Sequence, residues 1–186
     1  MVNANFMKEV IPNIQDNNIL IIINPAQFKE SIKLLLTELI NKKEKTIFIT
    51  FTEPAENIIQ KFPSENLFVI DAFSNDKREE QNFISLKNFN DLVQIQIAIK
   101  KAIQKIGKNA TIIFDSMNTL SIYNSSKEIG KFIHIFSNKM KLSENNCIFI
   151  ITKSSIDSEI LDYAKQFCDQ TFDFTQIATY TIENKK

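Results

Sequence analysis

The side chains that could do chemistry in this chain follow short apolar runs. Asn24 and Pro25 come after Ile19–Ile23, and Thr52 and Glu53 after Thr46–Phe51. Asp71 comes after Leu67–Ile70, Asp115 and Ser116 after Ala110–Phe114, and Thr152 and Lys153 after Cys147–Ile151. In an open parallel sheet, ligands bind beyond the carboxyl ends of the strands. A helix N-terminus beside such an edge adds free N–H groups and a positive dipole end. These residues are therefore the candidates for binding or catalysis.

The first of these strand ends is where a nucleotide-binding α/β chain carries its phosphate loop. A GxxxxGK[ST] loop needs glycines so that N–H groups converge on the phosphates, a lysine for the β and γ oxygens, and a hydroxyl for Mg²⁺. Counted from Asn24, the glycine positions hold Asn24 and Lys29, the lysine position Glu30 and the hydroxyl position Ser31. Only Ser31 survives. Pro25 removes a donor, and Glu30 sets a carboxylate where negative charge has to be received. Lys29 lies one position early, and one step along a helix turns a side chain by about 100°. Lys29 and Ser31 are what this segment leaves for contact with an anion. Without the loop, the preferred reading of Ser31 is an exposed helix residue.

Other chemistries lack residues. His134 is the single histidine and shares a helix face with Lys127, Lys131 and Asn138, which reads as a solvated position. Histidine-based metal clusters are excluded by count. Cys147 and Cys168 match no metal or redox spacing and read as reduced and cytoplasmic. The 16 phenylalanines read mainly as core; Phe73, Phe83 and Phe89 flank a polar stretch and are candidates for a partner surface.

Composition narrows the classes further. At 186 residues, 44% hydrophobic and 24% charged, the chain reads as one domain over residues 1–186. Lys plus Arg and Asp plus Glu both total 22, so no bulk attraction to nucleic acid or anionic membrane is implied. Arg78 is the only arginine, which further disfavours phosphate or base recognition. No signal peptide or membrane span is legible. The 2 glycines, Gly107 and Gly130, leave φ > 0 turns largely to asparagine and aspartate.

The elements alternate. Strand-like runs at residues 19–23, 46–51, 67–70, 110–114, 147–151 and 171–181 are separated by helical periodicities carrying Ile32 to Ile40, Ala55 to Phe62, Leu92 to Ile106, Ile129 to Met140 and Ile156 to Phe167. Ser125-Ser126-Lys127-Glu128 and Ser154–Asp157 have capping-box spacing. Residues 71–88 read as a long loop. The expected fold is α/β, a three-layer α/β/α sandwich around a largely parallel sheet.

Ile47–Pro54 followed by Leu67–Ala72 resembles the strand, acidic residue, helix and strand-Asp-Ala run of KaiC-like members of the RecA superfamily. Ile112–Ser116 looks like their Walker B strand, and Met117–Asn124 resembles the segment after it in archaeal KaiC-like proteins. The resemblance covers about residues 18–174. It implies a RecA-like sheet with its six main strands in the order 3-2-4-5-1-6. It also implies that Asp115 stands where relatives hold Mg²⁺, and Glu53 where they polarise the attacking water. The plainer readings are a strand terminator bonding nearby N–H groups for Asp115 and a helix-dipole partner for Glu53.

The expectation is a non-catalytic KaiC/RecA-like domain, a pseudo-ATPase with a degenerate Walker A loop. It would need no cofactor and act in regulation or scaffolding through a protein partner or self-association. The alternative is nucleotide binding or slow ATP hydrolysis with Mg²⁺. Lys29, Ser31 and Ser116 would then contact the nucleotide, Asp115 the metal and Glu53 the water. A receiver-like or flavodoxin-like module is least favoured; a receiver needs paired acids after its first strand, where this chain has Asn24-Pro25.

Overall fold

The computed structural model describes residues 8–15, 17–153 and 156–175. Its strands are β1 (Ile19–Ile23), β2 (Thr46–Thr50), β3 (Leu67–Asp71), β4 (Phe83–Ser85), β5 (Thr111–Asp115), β6 (Asn146–Thr152) and β7 (Gln170–Asp173). Its helices are α1 (Phe28–Asn41), α2 (Ala55–Lys61), α3 (Leu92–Ile106), α4 (Met117–Ser121), α5 (Ser126–Leu142) and α6 (Ser158–Phe167). All strand pairs in the sheet are parallel, in the order β4-β3-β2-β5-β6-β1-β7.

Near-continuous apolar strands are what a parallel sheet covered on both faces requires. Alternation assigns the two faces: Leu20, Ile47, Phe68, Ile112 and Phe149 enter one cluster with α3, α5 and α6. Ile21, Phe48, Val69, Ile113 and Ile150 enter the other, with α1 and α2. Phe114 centres an aromatic group on the first face, 5.1 Å from Phe149, 5.3 Å from Phe136 and 5.6 Å from Phe132 between ring centroids.

The six expected strands stand in the expected order. The difference is β4, which lies inside the stretch read as loop and extends the sheet beyond β3, with Val69 opposite Phe83 and Asp71 opposite Ser85. Three residues are too few to show an alternation. Phe83 is accordingly a core residue and not a partner surface. In the stretch 171–181, read as one or two β segments, β7 ends at Asp173; residues 176–181 lie outside the described residues. Likewise α6 is capped by Asp157, whose side chain accepts from Glu159 N–H, whereas Ser154 lies outside the described residues. Among the described residues no helix is long and apolar enough to cross a membrane.

The glycine shortage shows at the amino-terminal edge of the sheet. Helix α1 ends in a Schellman motif, with Glu44 N–H on Leu39 O and Lys43 N–H on Ile40 O. Helix α5 ends likewise, with Asn145 N–H on Met140 O and Glu144 N–H on Lys141 O. The left-handed residues are Lys43 (φ 57°) and Glu144 (φ 60°), where glycine is usual. Lys43→Gly should raise stability by about 1 kcal/mol, read as a shift in the urea midpoint at unchanged slope. A lower midpoint would show that this lysine is not strained.

Candidate functional site

The carboxyl ends of β2 and β5 lie side by side, with Thr50 opposite Asp115. The chain turns tightly after β2: Thr50 Oγ1 donates to Glu53 O at 2.9 Å and accepts from Thr52 N–H at 3.4 Å and Glu53 N–H at 3.3 Å. This turn aims Thr52 Oγ1 at Asp115 Oδ2, 2.7 Å away, while Phe51 N–H donates to Asp115 Oδ1 at 3.3 Å. Asp115 is only 1% exposed. Burial pushes its carboxyl from the ordinary 3.8 up to about 7, against the hydrogen bonds from Thr52 and Phe51, which lower it; the charge of Glu53 adds to the rise.

Glu53 stands beside this pair, its carboxylate in an ion pair with Lys61 of α2. Asp71, at the end of β3, caps the start of α2. Its Oδ2 accepts from Ala55 N–H at 2.9 Å and Ser74 Oγ at 2.7 Å, and its Oδ1 accepts from Phe73 and Ser74 N–H. The positive end of α2 is thus occupied by the chain's own carboxylate.

Ser116 follows Asp115 with φ 91°, a left-handed value that turns the chain into α4. Its Oγ is 3.4 Å from Asn118 Oδ1. Asn118 ties α4 to the end of β6: Nδ2 donates to Thr152 O, and Oδ1 accepts from Thr152 N–H, both at 2.8 Å.

The end of β1 is built differently. Ile23 leads through Asn24 into a single 3₁₀ turn, Pro25–Gln27, and then directly into α1. Asn24 and Gln27 form a capping box, in which Asn24 N–H donates to Gln27 Oε1 at 3.3 Å. Gln27 N–H donates to Asn24 O at 2.9 Å, and Phe28 N–H to Pro25 O. Lys29 and Glu30 are exposed. Ser31 is the correction: it is 1% exposed, not an exposed helix residue, because the turn rotates α1 so that Ser31 shares the inward stripe of Ile32 and Leu35. Its Oγ and Gln27 Nε2 are buried without a hydrogen-bond partner.

The fold therefore gathers Glu53, Asp115 and Ser116, while Lys29 and Ser31 sit at β1, with β6 between β1 and β5. Sequence reasoning missed Gln27 and Asn118. The Asn24-x-x-Gln27 spacing carried a signal, since it is a capping-box pattern; nothing marked Asn118. Among the described residues no group of three His, Cys, Asp or Glu side chains is arranged to hold a metal ion. Both thiols are buried, which pushes Cys168 up to about 12 and Cys147 well above the ordinary thiol value.

A parallel sheet in this order, with an acidic residue after β2 beside an aspartate closing β5, defines a RecA-like domain of the P-loop class. The family model described as "ATPase: KaiC" matches residues 31–170, well over half of the chain, and the chain belongs to that family. Solved structures agree on the fold. A KaiC-like protein, PH0186, from the hyperthermophilic archaeon Pyrococcus horikoshii OT3 is 11% identical, with a TM-score of 0.58 over 86% of this chain and 72% of that one. PH0250 from the same organism is 14% identical, with a TM-score of 0.59 over 96% and 90% of the two chains. No curated protein sequence matches the chain.

Proposed function

We propose that this KaiC-family domain does not hydrolyse ATP and works through contacts with another protein. The observation that carries the reading is the end of β1. A triphosphate needs a concave row of free N–H groups and a lysine over its β and γ oxygens. Here Asn24, Gln27 and Phe28 spend their N–H groups inside the turn, and Pro25 has none. Glu30 follows where the lysine belongs. These residues do not fit a bound triphosphate. The Walker A loop is, on this reading, degenerate, and no cofactor is required.

Two further features support it. Both oxygens of Asp115 are engaged by Thr52 and Phe51, and Glu53 is held by Lys61. Isothermal titration with Mg-ATP should show no saturable heat at millimolar nucleotide; micromolar binding would overturn the proposal.

A second reading, nucleotide binding through a rebuilt loop, has one observation in its favour. Ser31 Oγ and Gln27 Nε2 stand one helical turn apart, buried and unpaired. An unsatisfied buried hydroxyl costs about 1 kcal/mol or more. Ser31→Ala should therefore raise stability by about 1 kcal/mol and leave the Mg-ATP titration unchanged. Loss of a nucleotide-dependent rise in melting temperature in this variant would favour the second reading.

A further inference from the structure

A cavity of about 810 Å³ lies at the amino-terminal edge of the sheet, where Thr111 and Asn146 begin β5 and β6. That is room for a small organic molecule. The edge is opposite to the strand ends that carry Thr50 and Asp115. Ile11, Pro12, Ile14 and Leu39 give the cavity an aliphatic wall.

The charged side chains of the lining balance, Lys42 and Lys141 against Glu44 and Glu144. Beyond the lining, Lys42 pairs with Glu38, Lys141 with Asp169 and Lys108 with Glu144, while Lys43, Lys45 and Lys139 flank the same turns. Six lysines thus stand around four acids. Helices α1, α3 and α5 also end at this edge, each with about half a negative charge at its carbonyl end. The three ends offset most of the lysine surplus, so the surroundings select neither a cation nor an anion.

The polar lining has unused hydrogen-bonding capacity. Asn145 is engaged, its Oδ1 accepting from Ala110 N–H at 3.0 Å and its Nδ2 donating to Ser143 O at 2.9 Å. The side-chain amides of Gln15, Asn109 and Asn146 and the hydroxyl of Thr111 have no hydrogen-bond partner among the described residues. Thr111 is only 3% exposed. A buried polar group without a partner is rare, and a molecule in the cavity would supply one.

We propose that this cavity binds a neutral nitrogen heterocycle, a nucleobase or its nucleoside, without phosphates. The aliphatic wall takes the flat face of the ring, and the free amides, each both donor and acceptor, take its edge. Thr111 completes the polar side. A phosphate is disfavoured, because helix carbonyl ends and not N–H groups point here and no arginine lines the cavity. A carbohydrate is the poorer neutral occupant, since its many hydroxyls would outnumber the free polar side chains. The inference goes beyond the protein-contact reading and does not depend on it, because the two concern opposite edges of the sheet.

The test is an amide chemical-shift titration of the full chain with adenosine, guanosine and cytidine in turn, with their 5′-monophosphates and glucose as controls. Saturable shifts confined to residues 11–15, 39–46, 109–111 and 141–146 are expected from at least one nucleoside. Its monophosphate should bind there about tenfold more weakly. Thr111→Val should weaken nucleoside binding about fivefold, at an unchanged or higher melting temperature, because the hydroxyl has no protein partner to lose. Gln15→Ala, at an exposed position, should weaken it similarly without touching the fold. No saturable shift from any of the three nucleosides would overturn the proposal. So would equal binding of the monophosphate, occupation of the cavity by glucose, or both variants binding like the parent. Shifts confined to the other edge, around Ser31 and Asp115, would overturn it as well.

Discussion

Asp115→Asn should make the protein more stable than the parent above pH 7 and close to it at pH 4. The folded protein holds the Asp115 proton more tightly than the unfolded chain does, with the carboxyl raised from 3.8 to about 7. That contribution to stability is therefore fully present below about pH 4 and is lost as pH rises through about 7. A rise of this size corresponds to on the order of 4 kcal/mol as an upper bound. Asparagine can keep the local bonds, its oxygen accepting from Phe51 N–H and its amide donating to Thr52 Oγ1, without ever becoming a buried anion. Urea midpoints of both proteins between pH 4 and pH 8 check this. Parallel profiles would mean that the carboxylate is better solvated than its burial indicates.

Gly130→Val should cost about 3 kcal/mol, and the cost should depend on Tyr163. Gly130 lies within α5, where a Cβ would fall 2.4 Å from Tyr163 Cδ2 and 2.7 Å from Cγ of the neighbouring α6. The ring cannot simply swing aside. Its hydroxyl donates to Glu159 at 3.0 Å, and it stacks on Phe167, itself stacked on His134. In a Tyr163→Ala background the same substitution should cost about 2 kcal/mol less, as a double-mutant cycle of chemical denaturation would measure. An additive cycle would place the conflict elsewhere than this helix contact.

The legible part of the fold was the part carried by long periodic signals. The Ile-rich strands, the inward stripes of α1, α3 and α5, and the Ser125–Glu128 capping box all have local physical causes, and the structure contains them. β4 was hidden because Phe83-Ile84-Ser85 becomes a strand only through β3 and the returning segment at Glu79. The burial of Ser31 depends on the 3₁₀ turn before α1, which a phosphate-loop spacing does not contain; the local signal for it is the stripe Phe28, Ile32, Leu35. Asp115 and Glu53 were legible as strand-end acids, but Thr52 and Lys61 as their partners were not. The Thr52–Asp115 contact joins residues 63 apart in the chain, and the Glu53–Lys61 pair, 8 apart, depends on the turn that leads into α2; nothing in local spacing specifies either. Gly130 in a helix interior hinted at a close approach without saying to what.

The cover laid by residues 78–80 along β4 gives the sheet two unlike ends. At one end the backbone is spent on the chain itself; at the other, β7 is bonded only to β1 among the described residues. Among the described residues the two ends of the sheet are therefore unlike for strand pairing: β4 carries an antiparallel bridge from Glu79, and β7 carries none. A chain approaching the sheet from the β4 side therefore meets the residues 78–80 first, and not the backbone of β4.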